Sequence, residues 1–115
     1  KEVARLYNEH ETHVLASWFE TTGLSTLEAA VCGCNIVITD KGDTKEYFQD
    51  VGYYCDPADT RSIREAIEQA MNSAKNKDFP KKIIRENNWE QTAKKTYDAY
   101  VNVMNKYKKT NKSFI

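Results

Sequence analysis

Three cysteines, Cys32, Cys34 and Cys55, are too few for a disulfide framework, since the count is odd and no C-x-x-C pair occurs. They read as reduced thiols in the core of a cytosolic protein. Metal-ligand spacing is also missing. His10 and His13 in H-E-T-H lack the i, i+4 separation of a helical zinc pair and straddle an expected helix-to-strand junction, so no metal site is expected. Charge excess of either sign is absent: 17 Lys and Arg balance 17 Asp and Glu, which argues against a whole-domain nucleic-acid footprint. No apolar run approaches the ~20 residues that span a bilayer, and no signal peptide, repeat or low-complexity segment is visible. A cytoplasmic protein is expected, with Lys106, Lys108, Lys109 and Lys112 as the one basic cluster that offers a peripheral membrane contact.

What is present is an alternation of helical and strand patterns. The first ten residues place Val3, Leu6 and Tyr7 on one helical face, and Thr12 to Ser17 is an apolar, β-branched run read as a buried strand. A helix is expected from about Ser25 to Cys32, closed by a left-handed Gly33. A second strand covers Asn35 to Thr39, a turn Asp40 to Asp43, and a short helix Thr44 to Gln49 carrying Glu46, Tyr47 and Phe48. Gly52 to Cys55 reads as the third strand. Asp59 or Thr60 caps a helix with Ile63, Ala66, Ile67, Ala70 and Met71 at helical spacing. After a linker from Asn72 to Asp78, helices are expected over Phe79 to Glu86, with Pro80 in its first turn, and from Trp89 or Glu90 to Lys108. The last should bury Trp89, Ala93, Tyr97, Tyr100, Val101 and Met104 as a packing stripe. Strands alternating with helices argue for an α/β fold, a Rossmann-like parallel sheet of about three strands flanked by helices. With 115 residues, one domain's worth, and no initiator Met, the chain reads as a fragment.

The most informative stretch is Glu20-Thr21-Thr22-Gly23-Leu24-Ser25-Thr26-Leu27-Glu28-Ala29-Ala30, which follows the first strand. Ser25-x-x-Glu28 has the form of a capping box at a helix start. A loop of this kind lies at the carboxyl end of a parallel strand, where ligands bind, and the first helical N–H groups there point outward without partners. Gly23 lets backbone approach a ligand, and N–H groups near Leu24 to Leu27 can hold a phosphate or sugar oxygen.

This segment resembles the donor-binding motif of the retaining, nucleotide-sugar-dependent glycosyltransferases of GT-B fold, family four, whose mark is two glutamates separated by seven residues. Glu20 and Glu28 have that spacing. The likeness continues through Cys32-Gly33, the apolar second strand, the acidic loop, Glu46 and Asp56-Pro57. It implies part of the second domain of a GT-B enzyme: residues 1–88 as a partial nucleotide-sugar-binding domain, and 89–115 as a C-terminal amphipathic helix with a basic tail. Glu20 would then be the catalytic residue, contacting hydroxyls of the transferred sugar and holding charge at the reacting carbon. Glu28 would bind the ribose diol. Gly23 and Leu24 would supply backbone donors, with Thr22, Ser25 and Thr26 completing the donor-binding set. The resemblance implies no metal and no cofactor beyond the nucleotide-diphosphate sugar itself, and a saccharide, lipid or protein acceptor carried by an amino-terminal domain. The 115-residue chain alone is then expected to be inactive and to self-associate through an open sheet edge.

The chain departs from the family's pattern where Thr21 and Thr22 replace a glycine and an aromatic or small residue, where Ser25 and Thr26 replace prolines, and where Asn35 replaces a proline. No Arg or Lys matches the family's diphosphate-facing bases. The rival expectations are a related GT-B epimerase or phosphorylase, and a non-catalytic α/β interaction module.

Overall fold

Strand β2 (Asn35–Thr39) is buried at all five positions, as a continuous β-branched run in the middle of a parallel sheet requires. In the computed structural model, which describes residues 1–111, it stands between β1 (Thr12–Leu15) and β3 (Gly52–Cys55) and pairs in parallel with both. Val14 lies opposite Val37, and Val37 opposite Tyr53. Parallel neighbours need crossovers. These are α2 (Leu24–Val31) between β1 and β2, and α3 (Thr44–Phe48) with a single 3-10 turn at Gln49–Val51 between β2 and β3. The remaining helices are α1 (Glu2–Glu9), α4 (Thr60–Met71), α5 (Phe79–Glu86) and α6 (Trp89–Asn111).

Alternate side chains of β2 serve two separate cores, because successive residues of a strand point to opposite faces. Ile36 and Ile38 pack with Leu27, Ala30, Phe48 and Phe79. Val37 packs on the other side with Cys55, Ala66 and Ala70. Helices on both faces of a parallel sheet make the α/β, Rossmann-like class expected above. The chain divides into a unit of residues Lys1–Ile83, which holds the sheet, and a second that begins at Ile84. No described helix is long and apolar enough to cross a membrane.

Asn35 shows why a proline would not serve in its place. Its backbone N–H donates to the Glu11 carbonyl at 2.8 Å, and its buried Nδ2 donates to the carbonyls of Ala70 at 2.8 Å and Ser73 at 3.0 Å, tying the end of α4 to β2. Asn35→Ala removes two hydrogen bonds to the end of α4, although the Ala70 carbonyl keeps the Ser73 N–H at 3.3 Å, and is expected to cost about 1 kcal/mol in urea unfolding. Asn35→Pro, which also loses the N–H, should cost more.

Several sequence expectations need correction. Strand β1 ends at Leu15, not Ser17, because the chain leaves the sheet there to enter the loop that carries Glu20. Asp59 is the residue that caps α4, its Oδ1 accepting the Arg61 N–H at 2.9 Å, and Met71 is exposed, one residue beyond the buried Ala70. The helix expected over the first ten residues forms as α1, with Val3 and Leu6 exposed on it. The α6 stripe is not buried: Tyr97, Tyr100, Val101 and Met104 are exposed, Ala93 is too, and Trp89 is 89% accessible. Periodicity marks an apolar face of a helix without specifying what covers it. Of the basic cluster, Lys112 lies outside the described residues.

Candidate functional site

Glu20 is held by its backbone at the carboxyl end of the sheet. Its N–H donates to the Lys41 carbonyl at 3.2 Å, its carbonyl accepts the Asp43 N–H at 3.1 Å, and it forms an isolated parallel bridge with Gly42. This approach requires glycine. Gly42 has φ +93°, and a Cβ there would stand 2.0 Å from the Glu20 carbonyl oxygen. The clamping loop is itself secured. Thr44 Oγ1 donates to the Thr39 carbonyl at 2.8 Å, and Asp40 N–H donates to the Cys55 carbonyl at 3.0 Å. Lys41 Nζ pairs with Asp40 at 3.0 Å and reaches Asp56 at 3.9 Å. The loops after all three strands are thus joined into one platform.

From Glu20 the chain turns into α2. Glu20 Oε1 accepts the Gly23 N–H at 3.2 Å, and Gly23, at φ +68° and ψ 59°, starts the helix with its carbonyl accepting the Leu27 N–H at 2.9 Å. The expected Ser25–Glu28 capping box does not form. The left-handed glycine begins the helix at Leu24 without a side-chain cap, which puts Ser25 and Glu28 at the second and fifth helical positions. The N–H groups of Leu24 and Ser25, on exposed residues, therefore remain available, and Glu28 has no capping duty.

The structure brings Glu20, Thr22, Gly23 and Thr26 together. A Cβ on Gly23 would lie 3.4 Å from Thr26 Oγ1 and 3.5 Å from Glu20 Cγ. Thr22 Oγ1 makes a long contact, 3.4 Å, to the Tyr47 hydroxyl. Leu24, Ser25 and Glu28 are exposed on α2, and no hydrogen bond links Glu28 to Glu20. Glu28 lies near Tyr7, whose pKa is raised first by burial and then by that carboxylate. Glu46 is exposed on α3.

Thr26 is fully buried, and its Oγ1 lies 3.1 Å from His13 Nε2, so it supports the helix start from inside the fold. His13 also meets the Tyr7 ring edge-on at 5.5 Å. Burial lowers the His13 pKa below its ordinary 6.5. The folded state therefore favours neutral imidazole, and the stability this contributes is complete above pH 6.5 and is lost as pH falls from there toward the lowered pKa. Urea unfolding followed from about pH 8 to about pH 5 should show that loss, and His13→Gln, which keeps a partner for Thr26, should lose less over the same interval.

Sequence reasoning named the glutamates and the glycine between them, but not the Gly42 clamp or the His13 support. The only local signal for Gly42 was a glycine in a polar turn after a buried strand. The carboxyl-end loops are otherwise acidic, with Asp40, Asp43, Asp56 and Asp59 around Glu20's platform and Lys41 already engaged. No group of three or more potential metal ligands occurs among the described residues. A groove of about 520 Å³ lined by Tyr53, Glu65, Glu68, Gln69, Asn72 and Ser73 carries none of the candidate residues.

A family model described as Glycosyl transferases group 1 matches residues 1–96. No curated protein and no solved structure matches the chain.

Proposed function

The chain belongs to the group 1 glycosyl transferases, and from that premise we propose that it is the donor-binding part of a retaining enzyme that uses a nucleotide-diphosphate sugar. The observation that carries this reading is Glu20: a carboxylate whose backbone is clamped on both sides, whose Oε1 is fixed on the Gly23 N–H, and whose Oε2 has no hydrogen-bond partner among the described residues. A pre-positioned carboxylate of this kind accepts hydrogen bonds from sugar hydroxyls and stabilises the positive charge that develops at the anomeric carbon as the diphosphate departs. The open N–H groups at the start of α2 suit the diphosphate, and Glu28, relieved of capping, suits the ribose diol. With retention, the acceptor attacks from the face the diphosphate leaves.

Lys41 is engaged by Asp40 and Asp56, so the remaining charge against the diphosphate, and the acceptor, are assigned to a facing domain of a GT-B enzyme. In that case the 115-residue chain binds donor without transferring sugar. The test is a thermal-shift titration of the chain with uridine-, guanosine- and adenosine-diphosphate sugars, beside an assay for transfer. At donor concentrations about a hundredfold above Kd, stabilisation should be about 2.7 kcal/mol. No shift with any of the three would sink the donor assignment, and measurable transfer by the chain would sink the two-domain assignment.

A further inference from the structure

Two hydroxyls meet at the turn that follows Glu20, Thr22 Oγ1 and that of Tyr47, 3.4 Å apart, and neither has another hydrogen-bond partner among the described residues. That separation exceeds the roughly 2.5–3.0 Å of a good O–H···O bond, so both keep most of their capacity to donate and accept. Their positions are nevertheless fixed. Thr22 is joined by one peptide to Gly23, whose N–H donates to Glu20 Oε1, so it lies inside the turn that the carboxylate closes. Tyr47 is half-buried on α3, its ring packed against the core that holds Ile38 and Phe48, and α3 starts directly after the loop that clamps Glu20. A phenol held by its ring, with its hydroxyl stopping short of a full bond to a half-buried threonine, is placed to share a third group with it.

The surroundings decide which third group this is. Glu46 precedes Tyr47 on α3, and Asp43 and Glu20 are joined by their backbones beside it. Lys45, the cation of α3, has its Nζ over the Tyr54 ring, 5.4 Å from the centroid. Carboxylates in this number disfavour a phosphate and tolerate a neutral hydroxyl, which Thr22 and Tyr47 can each donate to or accept from. The N–H groups suited to the diphosphate follow Gly23 in the chain, whereas Thr22 lies between Gly23 and the carboxylate suited to the sugar. We propose that Thr22 and Tyr47 form a hydroxyl pair that reads one hydroxyl of the transferred sugar. Tyr47 is then a specificity-determining residue of the donor site, and donors deoxygenated at the matching carbon are discriminated against. This rests on the assignment of Glu20 to the donor site.

The test is a thermal-shift titration of the 115-residue chain with the uridine, guanosine and adenosine diphosphate esters of glucose, galactose, mannose and N-acetylglucosamine. The matching nucleoside diphosphates are titrated alone, as are analogues of the tightest sugar ester that lack one sugar hydroxyl each. Tyr47→Phe keeps the packed ring, and Thr22→Val keeps the branched shape at a half-buried turn residue, so Thr22→Val carries the test even where Tyr47→Phe lowers the melting temperature. Each is expected to weaken the sugar ester about threefold to tenfold and to leave the nucleoside diphosphate unchanged. The double variant should lose less than the product of the two, since both hydroxyls serve one group. One deoxy analogue should bind the unsubstituted chain about as weakly as the double variant binds the full sugar ester, and Tyr47→Phe should weaken that analogue no further. Thr21→Val, at the exposed neighbour, is the control and should change neither ligand. Equal weakening of sugar ester and nucleoside diphosphate, or no weakening of either, while the donor shift persists, overturns the hydroxyl pair. Absence of the donor shift in the unsubstituted chain instead overturns the donor assignment, and the role of the pair with it.

Discussion

On the donor-site assignment proposed above, Glu20→Gln in a two-domain enzyme is expected to lower kcat by about a hundredfold to a thousandfold, with little change in donor KM. The amide oxygen can still accept the Gly23 N–H, so the turn into α2 survives. What is lost is the negative charge, and that charge matters only as the sugar becomes cationic in the transition state. Glu28→Gln should behave differently. A ribose contact is equally strong before and during reaction, so its weakening by about 1.5–3 kcal/mol should appear as a tenfold to hundredfold rise in donor KM. Because Glu28 sits at the fifth position of α2 and caps nothing, its thermal unfolding should match that of the parent protein. Steady-state kinetics with donor varied at saturating acceptor, read beside melting curves, separate the two. If both variants turn over like the parent at limiting donor, the glutamates have no part in the reaction.

The second large effect concerns stability. Gly42→Ala places a methyl 2.0 Å from the Glu20 carbonyl oxygen, a backbone atom that no rotamer change can move aside, at a φ that L residues avoid. We expect a loss of about 3 kcal/mol or more in urea unfolding, together with loss of the nucleotide-sugar thermal shift. Gly33→Ala is the control. Gly33 has φ +90° but nothing within 4 Å of its missing Cβ, so its substitution should cost only the conformational strain, about 1–2 kcal/mol, and leave donor binding intact. Equal losses for the two variants would show that the clamp contributes nothing beyond strain.

The difference between these glycines also shows where sequence reading succeeds. Strands β2 and β3 were legible to the residue because Asn35–Thr39 and Gly52–Cys55 are short apolar runs bounded by turn residues, a local pattern. The seven-residue spacing of Glu20 and Glu28 was equally local. The start of α2 was misread because Ser25 and Glu28 imitate a capping box, while the event that begins the helix is a backbone angle at Gly23. The clamp was invisible for a further reason: Glu20 and Gly42 meet only after β1 and β2 have paired, and no window along the chain contains both partners of that bond. The α6 stripe failed in the opposite way, a correct helix with an apolar face whose partner the pattern does not encode.

Because Glu20 takes its position from the main chain of the Lys41–Asp43 loop, the residues beside it are released from holding it. Thr21 is exposed and Thr22 makes only a long hydroxyl contact, which accounts for how they can stand where the family more often has a glycine and an aromatic or small residue. Substitutions at Thr21 and Thr22 should therefore leave the carboxylate where it is, so both positions can vary without compensating changes elsewhere in the chain.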